Sequence, residues 1–154
     1  MAKFVYKMQS LLNIKEKLED QAKTAFGLAK AALNEEETKL AELVARKEYY
    51  VEQKRQEMSS TLHVHELTQL EHAVTSMEYK IAEQILVVRQ AEKNVQLAQA
   101  KLENAMKERK IQEKLREHAL EEFLKEMEAA DQQEINELVT FRFGKAKERE
   151  ENNG

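Results

Sequence analysis

At average usage, a chain of 154 residues would carry roughly eleven glycines and eight prolines; this one has three and none. Folds that turn often need residues that accept positive φ or pre-set a bend, so the shortage excludes sandwiches, barrels and most α/β folds. A net charge of -4, with 35% charged and 6% aromatic residues, excludes a nucleic-acid binder that works by neutralising phosphates and argues for a narrow seam over a wide core.

Ala, Glu, Lys, Leu and Arg make up roughly 56% of the chain, the level that marks long helices when an apolar period is present. The absence of cysteine excludes disulfides, thiol nucleophiles and thiolate metal sites, and fits a cytoplasmic protein. No run approaches the length of a membrane span, and the first residues lack the apolar core of a secretory signal, so any membrane is reached only through partners.

Helix one is expected over about residues 3–58. Its apolar or small residues Phe4, Met8, Leu11, Ile14, Leu18, Ala22, Ala25, Ala29, Leu33, Leu40, Leu43 and Val51 recur at helical steps, with Glu36 and Lys47 as polar interruptions. Gly27 lies inside it among small neighbours, which close approach of a partner helix explains. The period is lost over residues 59–66, where Ser59, Ser60 and Thr61 supply hydroxyls that compete with the helical backbone; Ser60 or Thr61 is the expected cap of the next helix.

Helix two, about residues 67–144, opens with a strict heptad: Leu67, Leu70, Val74, Met77, Ile81, Gln84, Val88, Ala91, Val95, Ala98, Leu102 and Ala105, in which only Gln84 is polar. Beyond Ala105 the phase shifts to Met106, Ile111, Leu115, Ala119, Phe123 and Met127, which reads as a stutter in a continuing helix. Residues 145–154 are charged and are expected to fray. The resulting expectation is an all-α chain, a single coiled-coil domain over residues 1–154, whose two long helices form an antiparallel coiled-coil hairpin with the second helix longer.

Folding back about Leu62 sets Leu43 against Ile81, Leu40 against Gln84, Ala29 against Val95, and Phe4 near Leu120. The paired part would be an extended rod of about 85 Å. Phe123, Leu124, Met127, Ile135, Leu138, Val139, Phe141 and Phe143 then have no intramolecular partner, which on a soluble rod means a second protein or self-association. The basic start of helix one lies beside the region before the acidic end of helix two, an asymmetry that suits both the hairpin and a partner.

Chemistry finds little support. His63, His65 and His72 lie close together in sequence but lack a completing ligand set, and read as solvated side chains. Carboxylates such as Glu35, Glu36, Glu37, Glu121 and Glu122 read as solvated faces, because acid/base catalysis needs carboxylates whose environments differ in a pocket. No catalytic, metal or cofactor site is expected. Tyr49 and Tyr50 are adjacent near the turn and cannot both face the seam, so at least one is expected to be exposed and available to a partner.

The opening Phe4-Val5-Tyr6-Lys7-Met8-Gln9-Ser10-Leu11-Leu12-Asn13-Ile14-Lys15-Glu16 resembles the FliJ family of flagellar export proteins. The likeness continues in Leu70-Glu71-His72-Ala73, in Glu108-Arg109-Lys110 with Glu113-Lys114-Leu115, and in Gln133-Glu134-Ile135-Asn136-Glu137 with Phe141-Arg142-Phe143. The resemblance implies a non-enzymatic stalk in the cytoplasmic part of the type III export apparatus, peripheral to the inner face of the cell membrane. Its chain termini would engage the hexameric export ATPase, through Phe4, Tyr6, Phe123, Leu124, Met127, Ile135, Leu138, Phe141 and Phe143. The region near the turn would contact the export-gate protein FlhA, through Leu43, Tyr50, Leu70 and Ala73, with Tyr49 beside them. Handling of export chaperones is a further role the family implies. A hairpin chaperone, a structural coiled coil, or a stalk of another secretion or rotary ATPase complex would share the same sequence features.

Overall fold

Without proline, nothing in the chain removes a helical N–H or clashes with the preceding turn, and the backbone follows that freedom. The computed structural model describes residues 2–60 and 63–153, which form two helices: α1 over Gln9–Ser59 and α2 over Val64–Asn152. The fold is all-α, a helical hairpin in which the second helix is the longer.

Helix α1 starts at Gln9, not near residue 3. Gln9 N–H donates to the Tyr6 carbonyl at 3.1 Å, Leu12 N–H donates to Met8 at 3.1 Å, and residues 2–6 stay outside the helix. Phe4, Val5 and Tyr6 are aromatic or β-branched and lose side-chain freedom in a helix, and Phe4 and Tyr6 gain contacts to α2 by leaving it. At the other end of α1, the Ser59 and Ser60 hydroxyls donate to the carbonyls of Gln56 and Glu57 at 2.9 and 3.4 Å. Serine therefore satisfies the orphan carbonyls of α1 instead of capping α2. His63 supplies the carbonyl that accepts from Leu67 N–H at 3.0 Å, and Thr61 lies outside the described residues. Helix α2 does not fray from residue 145; it runs on to Asn152, with Asn153 N–H donating to Arg149.

All twelve residues of the predicted α2 heptad are buried or half-buried, Met77, Val88 and Ala91 most deeply. The stripe expected on α1 holds only in part. Met8, Ile14, Leu18, Ala25 and Val51 are exposed, and the covered face is Leu12, Lys15, Glu19, Ala22, Phe26, Ala29, Leu33, Glu36, Leu40, Leu43, Lys47, Tyr50, Lys54 and Glu57. This series is as strict a heptad as that of α2, but six of its members are charged. Lys and Glu stems can cover apolar surface while their heads reach water or an opposite charge, so the stripe is invisible to an apolar count.

The contacts group into two compact units, Lys17–Met106 and the combination of Met1–Glu16 with Lys107–Gly154. In the first, Lys47 pairs with Glu78 at 3.5 Å and Lys54 with Glu71 at 3.2 Å, close to the register of a fold-back about Leu62. Gln84 reaches Glu36, one turn from the expected Leu40, because helical side chains lean toward their own N-terminus. Gly27 is exposed, and an added Cβ would meet nothing within 4 Å, so close approach of a helix does not explain it.

In the second unit, Lys15 pairs with Glu108 at 2.9 Å and Leu12 is only 4% exposed. Of the residues in the shifted phase, Met106, Ala119, Phe123 and Met127 are covered. Ile111 and Leu115 are exposed, and Arg109 and Gln112, in the heptad phase of Ala105, are covered in their place, while Arg116, the next position of that phase, is exposed. From residue 128 to 153 every described residue is exposed.

Candidate interaction surfaces

The end of the second unit is built around an aromatic pair. Phe4 and Phe123 have ring centroids 5.5 Å apart at 54°, and the Arg116 guanidinium lies 5.8 Å from the Phe4 centroid. Arg116 also donates through Nε to Gln9 Oε1 at 3.1 Å, and the Tyr6 hydroxyl donates to Gln112 Oε1 at 3.5 Å. Phe123 thus has an intramolecular partner, contrary to the sequence expectation, and Phe4, Tyr6 and Phe123 are half-buried. Met127 is half-buried as well, while Leu124, Ile135, Leu138, Val139, Phe141 and Phe143 are exposed, Phe143 by 73%. The uncovered end of α2 starts about one turn later than the sequence suggests, because residues 2–6 abandon the helix and reach further along α2.

Near the hairpin end of Lys17–Met106, Leu43, Tyr50, Leu70 and Ala73 are all half-buried. Leu43, Tyr50 and Leu70 belong to the heptad seam, which accounts for that, and Ala73 lies next to the seam residue Val74. Tyr49 is the exposed member of the tyrosine pair, at 59%, with its ring edge-on to Tyr50 and centroids 5.7 Å apart. Val44, Val51 and Met58 are exposed as well and recur every seven residues, one position beyond the seam residues Leu43, Tyr50 and Glu57. A heptad count offset by one residue would have found this flanking stripe from the sequence.

At the start of α2, His63 Nδ1 lies 3.2 Å from Glu57 and 4.0 Å from Glu66, and the three donor atoms fall within 4.8 Å of one another. The arrangement ties the end of α1 to the first turn of α2 when His63 is charged. His65 turns away to Gln69 at 3.3 Å, so His63 and His65 do not converge.

One group in the seam is electrostatically set apart. Gln84 Nε2 donates to the Glu36 carbonyl at 2.9 Å and to its carboxylate at 2.6 Å, and Lys39 approaches the same carboxylate at 3.4 Å. The hydrogen bond from Gln84, aided by Lys39, holds the Glu36 carboxyl below its ordinary range. Arg55 does the same to Glu52 on the solvent face through two hydrogen bonds of 2.9 and 3.2 Å.

A family model described as flagellar FliJ protein matches residues 4–148, nearly the whole chain. The chain belongs to the FliJ family. It is therefore a component of the flagellar type III export machinery. Among solved structures, a protein assigned as a YscO homologue from Chlamydia trachomatis is similar over 95% of this chain and 99% of that one, with 22% identity and a TM-score of 0.52. At that identity the likeness shows the helical-hairpin fold. No curated protein matches the chain at a significant level. Among the described residues of this FliJ-family chain, no helix is long and apolar enough to cross a membrane.

Proposed function

We propose that this protein is a non-enzymatic stalk that joins the hexameric flagellar export ATPase to the export-gate protein FlhA. The observation that carries the reading is the end of α2, a continuous helix whose described residues beyond Met127 are all exposed although Ile135, Leu138, Phe141 and Phe143 are large and apolar. Exposed apolar surface of that extent is retained where a partner covers it. A helix end held by an ATPase ring needs no chemistry of its own. It shifts the ring between nucleotide states by the difference in its affinity for those states. The gate contact falls on Tyr49 with its exposed neighbours Val44 and Val51, and the half-buried Leu43, Tyr50, Leu70 and Ala73 support them from the seam. Such a stalk works on the cytoplasmic side of the membrane, held there by its partners, and export chaperones would meet it at the same exposed surfaces.

The test is a chain ending at residue 127, which keeps the Phe4–Phe123 pair intact. It should lose stimulation of the purified export ATPase while retaining the affinity of the full chain for the gate protein. Undiminished stimulation would overturn the reading. Tyr49→Ala should weaken gate binding by about tenfold, the size of one interface anchor, with unchanged far-UV circular dichroism.

A further inference from the structure

The exposed end of α2 carries a charge order that the stalk reading does not use. Glu128, Asp131 and Glu134 stand ten, seven and four residues before Leu138; Arg142, Lys145 and Arg149 stand four, seven and eleven after it. At a helical period these six residues lie along the same side as Ile135, Leu138 and Ala146. Asp131, Glu134 and Arg142 have no opposite charge three or four residues away on their own helix, the spacing at which helical neighbours pair. Among the described residues no ion pair involves any residue beyond Glu121.

We propose that this segment pairs with the same segment of a second copy of the chain, antiparallel, about Leu138. In that arrangement Leu138 meets Leu138 of the second chain, and Ile135 shares a layer with Phe141. Glu134 comes opposite Arg142 and Asp131 opposite Lys145, each twice by symmetry, and Arg149 falls one residue past the place that faces Glu128. Parallel pairing would set acid against acid and base against base, so the charge order selects one direction as well as one partner. The pairing covers the apolar face in the free protein, and any other protein using that face competes with it. It is independent of the stalk reading, because it is measured on the purified full chain alone.

Sedimentation equilibrium at about 100 µM and low salt should give a mass near twice 18.0 kDa, with the dissociation constant rising at least about tenfold by 0.5 M salt as the ion pairs are screened. The double variant Asp131→Lys with Glu134→Lys should be monomeric, as should Arg142→Glu with Lys145→Glu. Mixed together, the two should restore the dimer mass, since each reversed half then meets its complement. The chain has no cysteine, so Asp131→Cys mixed with Lys145→Cys should form an interchain disulfide that Asp131→Cys alone does not. A monomeric wild-type chain under these conditions overturns the proposal, including one that still binds the export ATPase through this end. So does a dimer that survives in either charge-reversed variant alone, or one cross-linked by Asp131→Cys alone. Far-UV circular dichroism of each variant confirms that the helices are retained.

Discussion

Gln84 and Glu36 form a polar clasp inside an otherwise apolar α2 stripe, with one amide nitrogen donating to both the backbone carbonyl and the carboxylate of the same residue. The clasp favours ionised Glu36, whose pKa is lowered mainly by the Gln84 hydrogen bond and then by Lys39. A depressed carboxylate contributes stability that is present above its unfolded value, near 4.5, and is lost as pH falls through the lower folded value. Thermal melts between neutral pH and about pH 3 should therefore show a fall in Tm on the acid side, and Gln84→Ala should reduce that fall. An acid limb of the same steepness in Gln84→Ala would remove the clasp as its cause.

Leu12 is the most deeply buried apolar side chain among the described residues. Truncation to alanine should cost about 2 kcal/mol, at the low end for core leucines because a two-helix seam collapses more readily than a wide core. Leu28, which is 68% exposed, provides the control: Leu28→Ala should stay within about 0.5 kcal/mol in the same urea titration.

Gly27 has no neighbour that a methyl group would touch. Gly27→Ala should stabilise the protein by about 1 kcal/mol through helix propensity alone. A destabilised Gly27→Ala variant would reveal a contact made only in an assembly.

Phe4 holds the non-helical residues 2–6 against α2 through Phe123 and Arg116. Phe4→Ala should cost about 1 kcal/mol beyond lost area, with faster amide exchange confined to the region around Tyr6 and Gln9. Unchanged exchange there would show that the Tyr6–Gln112 hydrogen bond suffices.

Scarce glycine, absent proline and the Leu67–Ala105 heptad made the hairpin and its single turn legible, because an apolar period on α2 survives any reasonable count. The seam of α1 was not legible in the same way. Lys15, Glu19, Glu36, Lys47, Lys54 and Glu57 occupy it, and a hydropathy pattern reads them as solvent-facing although their stems cover α2. For the same reason Arg109 and Gln112 are missed as covered positions of α2, and the exposed Ile111 and Leu115 are read in their place. The exposed end of α2 was visible from residue numbers alone, but its start was not, since no local rule says that Phe4 leaves the helix to meet Phe123. Of the tyrosine pair, adjacency required one to be exposed, and the heptad through Leu43 and Lys47 assigns the inward place to Tyr50.

The charged seam of α1 has a consequence for synthesis. Helix α1 leaves the ribosome before any of α2 exists to cover it, and a helix with an uninterrupted apolar stripe would then be sticky until its mate arrived. With six charged residues among its fourteen seam positions, α1 stays compatible with water during that interval. The greasier half of the interface, carried by α2, is made last and meets a waiting complement as it emerges.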